Sequence, residues 1–297
     1  MKKELEYGLI WFVVRLIKLL PLNLACRLAD LIAFLLYSVF SVRKQVTLEN
    51  LRRAFPDWEF PRRYRTGKDC YRFYARSAVE WLKTDDILAK GEVEIEGDGE
   101  ERLEKYVGDG AIIATGHIGY WELIGVLIAH RSGEIHAYAD EQSNPYSQQM
   151  IDRNREKYNI STYNGAAGIR KMVKIAKSGK PVGVVADQRP RGKSLYVPFF
   201  NRYVQNTRIP PLLARQTGAP VLPVIAVRSA ADKISVFVEP PLETSLKPPE
   251  KQDEIELISE YNSVLEKYIR RFPEQYFWLH RRWKNARGSV AGVTDDD

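Results

Sequence analysis

The 297-residue chain carries 45 Lys and Arg against 38 Asp and Glu, a formal charge of +7 with four histidines and two cysteines. That length supports one large core or two modest domains, and the basic balance suits an anionic partner such as nucleic acid, a membrane surface or an acidic protein. Cys26 and Cys70 stand far apart with no CxxC spacing, which argues against a disulfide framework or a zinc knuckle and fits a reducing compartment.

Residues 5–42 are the most apolar part of the chain, interrupted by Arg15, Lys18, Pro21, Arg27 and Asp30. The longest charge-free run, Leu31 to Val42, is too short to cross a bilayer as one straight helix. Charges inside the apolar stretch and the lack of a small-residue cleavage site also fit a signal peptide poorly. The pattern predicts two amphipathic helices broken near Pro21. Leu9, Phe12, Val13, Leu16, Leu19 and Leu20 recur at helical spacing, Arg15 and Lys18 are placed to snorkel, and Trp11 adds an interfacial ring. A pair lying in or dipping into a membrane face is the functional expectation, and a helical hairpin buried in a soluble core is its alternative.

From Arg43 to Lys90 the pattern stays helical, and Pro56-Asp57 separates two helices. Arg43, Lys44, Arg52, Arg53, Arg62, Arg63 and Arg65 make this the densest positive region. Beside an apolar element such a cluster attracts anionic headgroups, and no groove-reading motif points to DNA. Short strands are then expected at Glu92–Gly97, Ile112–Thr115, Glu134–Ala139, Pro181–Ala186, Pro220–Val227 and Ile234–Val238. Helices are expected from Trp121, over Met150–Tyr158 and Gly168–Lys177, and over Gln252–Arg271. This alternation predicts an α/β fold, a mostly parallel or mixed central sheet covered by helices, with an N-terminal membrane-associated helical extension. The expected organisation is membrane helices over 1–42, a catalytic domain over 43–287 and a disordered tail over 288–297.

Ala111 to His130, AIIATGHIGYWELIGVLIAH, reads as strand, tight turn and helix. His117 falls where the strand ends and Glu122 in the first helical turn, where side chains tilt back toward the N-terminus. The Glu122 carboxylate is therefore expected on one imidazole nitrogen of His117, leaving the other to take a proton from a hydroxyl. The blander alternative is a structural histidine with a glutamate complementing the helix dipole. A second strand end delivers Asp187-Gln188-Arg189-Pro190. Ligands gather at such strand ends, where Arg189 and Arg191 are suited to hold a phosphate or polarise a carbonyl, and Asp187 to orient an acceptor or a lysine.

The motifs as an ordered set resemble the bacterial lipid A biosynthesis acyltransferase family, of the lauroyl/myristoyl type within the lysophospholipid-acyltransferase superfamily. The likeness runs through RKQVTLENLRRAFPD, the HxxxxE element in TGHIGYWE, ADQ with the following YVPFF, TGAPVLPV and PEQYFWLHRRWK. It implies a transferase at the cytoplasmic face of a bacterial inner membrane, serving lipid A and so lipopolysaccharide biosynthesis. Such an enzyme moves an acyl chain from acyl-carrier protein to a hydroxyl of a membrane glycolipid, with no metal or other cofactor. By position, His117 is then the general base and Glu122 its orienting carboxylate, while Asp187, Gln188 and Arg189 line the substrate cleft and Arg189 serves the oxyanion.

Two departures stand out. Tyr120 occupies a position where family members often have Asn. Ala139-Asp140 precede the Asn144-Pro145 turn where an Arg-Pro pair is common, a loss that Arg155 or Arg189 is placed to make good. They leave open an acceptor other than a lipid A precursor, either another glycolipid or a lysophospholipid. A non-catalytic lipid-binding protein of the same fold is disfavoured by retention of both His117 and Glu122. A zinc hydrolase finds no ligand pair among His130, His136 and His280 at a familiar spacing.

Overall fold

The computed structural model describes residues 2–141, 144–190 and 192–289, with backbone only for 2–7, 9, 10 and 289. The side chain of Leu9, the whole of Arg191 and residues 290–297 of the expected tail therefore lie outside the described residues.

Helices come first. They are α1 (Lys2–Leu19), α2 (Leu22–Phe34) running into a π-helical turn at Leu35–Val39, α3 (Lys44–Ala54), α4 (Phe60–Leu82) and α5 (Thr84–Ala89). Strands and helices then alternate through β1 (Val93–Ile95), α6 (Gly99–Val107), β2 (Ile112–Thr115), α7 (Trp121–Ser132), β3 (Ile135–Tyr138), α8 (Pro145–Glu156), β4 (Ile160–Tyr163), α9 (Gly165–Lys177) and β5 (Val182–Val185). A hairpin of β6 (Ser194–Phe199) and β7 (Arg202–Thr207) leads to α10 (Ile209–Thr217), β8 (Val221–Ala230) and β9 (Lys233–Val238). The chain closes with α11 (Glu243–Leu246), α12 (Glu254–Arg271) and β10 (Arg287–Ser289).

The main sheet has seven strands in the order β1-β9-β8-β2-β5-β3-β4. Its pairs are parallel except for the antiparallel β8–β9 hairpin, so the α/β expectation of a mixed sheet under helices holds. Central β2 has both faces buried: Ile112 and Ala114 join one core cluster and Ile113 the other. A near-continuous apolar run is what such a strand requires. The smaller sheet pairs β6, β7 and β10. In it Arg287–Ser289 continue the folded domain into the first residues assigned to the tail.

The break at Pro21 falls where the sequence places it. On α2, Ala25, Ala29 and Ala33 are buried, and this small-residue face lets α2 approach α4, with Ala25 and Ala29 in one cluster with Val79. Asp30 is held by Arg76 through two 2.6 Å contacts, so the one acid in the apolar stretch of α2 is neutralised. Leu24, Leu31, Phe34, Val39 and Phe40 are exposed on the other side. Leu22–Val39 is the one span among the described residues long and apolar enough to cross a membrane, and only 22% of it is buried.

Candidate active site

Strand register builds the site. In the parallel β2–β5 pair, Thr115 lies opposite Val185, and the amide of Ala186 continues the ladder to the Thr115 carbonyl at 2.8 Å. His117 and Asp187 each follow two residues past those partners and emerge side by side at the carboxyl edge of the sheet. Between β2 and α7 the chain turns through Gly119, at φ +59°. A Cβ there would sit 1.9 Å from the Ala226 carbonyl oxygen, so only glycine fits. The closing stretch clamps the turn. Phe277 N–H donates to the His117 carbonyl at 2.9 Å and Gly119 N–H to that of Gln275 at 2.8 Å. The Tyr74 hydroxyl of α4 lies 2.7 Å from the His117 carbonyl.

His117 Nδ1 stands 2.7 Å from Asp187 Oδ1. The sequence-based pairing of His117 with Glu122 is thereby corrected: the carboxylate on the imidazole comes from β5, not from the helix that follows the histidine. Asp187 is almost wholly buried, whereas 23% of the His117 side chain is exposed. Burial alone would raise the Asp187 carboxyl, but His117 and the nearby Arg282 guanidinium reverse that and hold it below the usual carboxylate range. An ionised Asp187 accepts from Nδ1–H, and that contact assigns the tautomer in which Nε2 presents its lone pair. The His117 ring lies between Trp121 at 5.1 Å and Phe277 at 6.3 Å.

Glu122 faces the other way. It receives Arg155 of α8 bidentately, at 2.5 Å from Nη2 and 3.1 Å from Nε, with both side chains mostly buried. Burial works against the charge of Arg155, and Glu122 more than offsets it, leaving the guanidinium more basic than usual. The pair pins α8 to the first turn of α7. Gln188 and Arg189 do lie at the sheet edge after Asp187. Arg189 is exposed and makes no ion pair among the described residues.

Beside the dyad lies an apolar cavity of about 330 Å³, walled by Tyr74, Trp81, Trp121, Leu123 and Phe277. A second, polar groove of about 930 Å³ runs along another face of α4, with Arg62, Arg65, Arg72 and Arg76 at helical spacing and Arg27 of α2 opposite.

A histidine–carboxylate dyad whose flanking rings, Trp121 and Phe277, also wall an apolar cavity, in a chain with this sheet order, invites comparison with known proteins. Residues 2–285 match the model of the family described as bacterial lipid A biosynthesis acyltransferase. The chain belongs to that family. It is therefore an acyltransferase. It is 27% identical over 293 residues to the lipid A biosynthesis palmitoleoyltransferase of Escherichia coli (strain K12), covering 94% of this chain and 92% of the relative. Identity is also 27%, over 294 residues, to the lipid A biosynthesis lauroyltransferase of the same organism, covering 96% and 92%.

Within this acyltransferase the structure adds residues that the sequence did not single out. Arg282 is fully buried near Asp187 and donates to the Gln205 carbonyl and Asn206 Oδ1. Tyr276 and Tyr261, buried and in the negative field of Asp187, are held well above the ordinary phenol range. The only advance signal was the density of aromatic and basic residues in QYFWLHRRWK.

Proposed function

We propose that the enzyme transfers a fatty acyl chain from an acyl-carrier-protein thioester to a hydroxyl of a lipid A precursor, with His117 as general base and Asp187 as the group that orients it. The observation carrying this reading is the 2.7 Å His117–Asp187 contact, beside an apolar cavity in a member of this family. Nε2 removes the acceptor's hydroxyl proton as the oxygen attacks the thioester carbonyl carbon. The tetrahedral intermediate collapses with cleavage of the C–S bond, and the imidazolium returns its proton to the departing thiolate. The products are an ester and the free carrier thiol, and no acyl-enzyme forms.

Asp187 stabilises the imidazolium, Arg189 supplies positive charge to the oxyanion, and Gln188 lines the approach. Glu122 and Arg155 act as a strut that fixes α7, and with it Trp121, against the substrate. The arginine row along α4, next to the apolar outer face of α2, supports an acceptor with an anionic headgroup drawn from the cytoplasmic face of the inner membrane. The same residues suit another phosphorylated glycolipid, which the choice of acceptor in the assay distinguishes.

The test supplies labelled acyl-carrier protein and a lipid A precursor to the wild type and His117→Ala in detergent micelles, with product followed by mass spectrometry. A loss of about a hundredfold or more in the variant is expected. Equal rates would remove His117 from the mechanism. A wild type silent on this acceptor but active on total membrane lipid would keep the chemistry and discard the lipid A precursor.

A further inference from the structure

Arg282, in the closing stretch, carries a charge that the mechanism above leaves without a role. It is 1% exposed, and among the described residues no carboxylate forms an ion pair with it. Burying a guanidinium without an anion in contact is costly, so its surroundings are informative. Nη1 donates to the Gln205 carbonyl and Nη2 to Asn206 Oδ1, both on β7. The guanidinium lies over the Phe199 ring, 4.9 Å from its centre.

Asn206 passes this contact on. Its Nδ2 donates to the Ala186 carbonyl at 3.1 Å and approaches Asn262 Oδ1 of α12 at 3.3 Å, and Asn262 in turn donates to the Pro198 carbonyl at 2.7 Å. Asp187 is the next residue after Ala186, so Arg282 reaches the backbone beside Asp187 through a single side chain. Helix α12 also holds the other strand end: the Tyr261 hydroxyl donates to the Thr115 carbonyl at 2.6 Å, two residues before His117.

The charge acts on the same place. The titratable groups facing Asp187 are His117 after β2, Tyr74 of α4, Tyr261 of α12, and Tyr276, His280 and Arg282 of the closing stretch. Burial holds the three tyrosines well above the ordinary phenol range and pushes His280 down to about 4, so all four are neutral near pH 7. Arg189, exposed at the rim, faces His280. Arg282 is then the buried, permanent positive charge beside the dyad, and such a charge disfavours protonation of carboxylate and imidazole alike.

We propose that Arg282 is a positioning residue of the dyad: through Asn206 it fixes the strand end that carries Asp187, and its charge keeps His117 a free base at neutral pH. This rests on the reading of His117 and Asp187 as the catalytic pair.

The experiment measures kcat/KM against pH for acyl transfer in micelles, with the wild type, Arg282→Gln, Arg282→Lys and Asn206→Asp, each checked by thermal unfolding. The acid limb reports proton uptake by the free enzyme. Arg282→Gln keeps a donor for β7 but removes the charge, and should move the limb up by about one pH unit, which is about a tenfold lower rate below it. Arg282→Lys keeps the charge and should hold the limb at the wild-type position. Asn206→Asp, nearly the same shape, places a carboxylate against Arg282 and offsets its field. It should move the limb the same way as Arg282→Gln, and serves where that variant does not fold. In a His280→Gln background the shift should persist, and its loss there would assign the limb to His280 and overturn the proposal.

A purely structural role would lower the plateau and leave the limb in place. An unmoved limb in folded Arg282→Gln or Asn206→Asp, or a limb moved as far by Arg282→Lys, would therefore overturn the proposal while leaving the reaction intact. Wild-type rates in His117→Ala would instead overturn the reading of the dyad, and the role of Arg282 with it.

Discussion

Asp187→Asn separates the charge on His117 from the shape of its surroundings. The amide is nearly isosteric with the carboxylate, and in one orientation its oxygen still accepts from Nδ1–H. What it removes is the negative charge 2.7 Å from the imidazole. At an effective dielectric of about 20, opposite unit charges at that separation attract by roughly 6 kcal/mol. With about half of the imidazolium charge developed in the transition state, roughly 3 kcal/mol is lost, or about a hundredfold in kcat. Should the amide turn its NH₂ toward Nδ1, the tautomer inverts, Nε2 carries the hydrogen, and the loss grows toward about ten-thousandfold. Steady-state transfer in micelles reads this as a fall in kcat with KM nearly constant, because the cavity walls are untouched. Asp187 also compensates the buried Arg282, so thermal unfolding must accompany the assay, with Asp187→Glu as a charge-retaining companion. His117→Ala combined with Asp187→Asn should be no slower than His117→Ala alone, as expected of residues acting as one unit. A folded Asp187→Asn enzyme retaining more than about a third of wild-type kcat would refute the assignment.

Glu122→Gln should lower stability together with activity, by roughly 2–3 kcal/mol, because it strands Arg155 in a mostly buried site. Adding Arg155→Met should restore part of that loss in a denaturant titration, whereas no recovery would argue against the strut. His280 is pushed down to about 4, chiefly by burial, with Arg282 and His117 adding to it against the opposing pull of Asp187. It stays neutral in the fold while the unfolded chain protonates, so stability falls as pH drops from about 6.5 toward 4. After allowance for partial exposure the loss is about 2 kcal/mol. His280→Gln should flatten that acid limb in thermal melts, and parallel curves for the two proteins would show that His280 is not its source. A chain beginning at Arg43 should leave the membrane fraction without detergent, since it lacks the exposed apolar face of α1 and α2. Retention there would locate a further anchor in the catalytic domain.

The strands of the main sheet were legible wherever an apolar run was bounded by turn residues, as at Ile112–Thr115 and Val182–Val185. The β6–β7 hairpin was not. Its two turn residues, Phe200 and Asn201, both take positive φ, at 46° and 59°, a geometry normally signalled by Asn-Gly or Asp-Gly. Strand β4, four residues of mixed polarity in ISTY, carries no period long enough to read. The dyad was half legible for a related reason. Local spacing correctly put His117 and Asp187 at strand ends, but it favoured Glu122, five residues along, over a carboxylate 70 residues away. Gly119 explains the difference. Its left-handed turn starts α7 on a heading that carries Glu122 toward Arg155 of α8, while the β2–β5 register, a long-range property, brings Asp187 to the imidazole.

Helix α4 connects these features. Ala75 and Val79 pack on α2, Tyr74 holds the His117 carbonyl, Ser77, Ala78 and Trp81 wall the cavity, and Arg62, Arg65, Arg72 and Arg76 line the groove. These roles divide among the faces of one 23-residue helix, with Tyr74 on the cavity face beside Ala78 and Trp81. A displacement of α2 would reach α4 through the Ala25–Ala29 face and the Asp30–Arg76 pair, and α4 holds the His117 carbonyl through Tyr74. Close-packed helix faces shift as units, so a change in the α2–α4 contact is expected to be felt at His117. Weakening α2–α4 packing, by enlarging Ala29 for example, should then lower transfer in micelles, where partitioning to a bilayer plays no part.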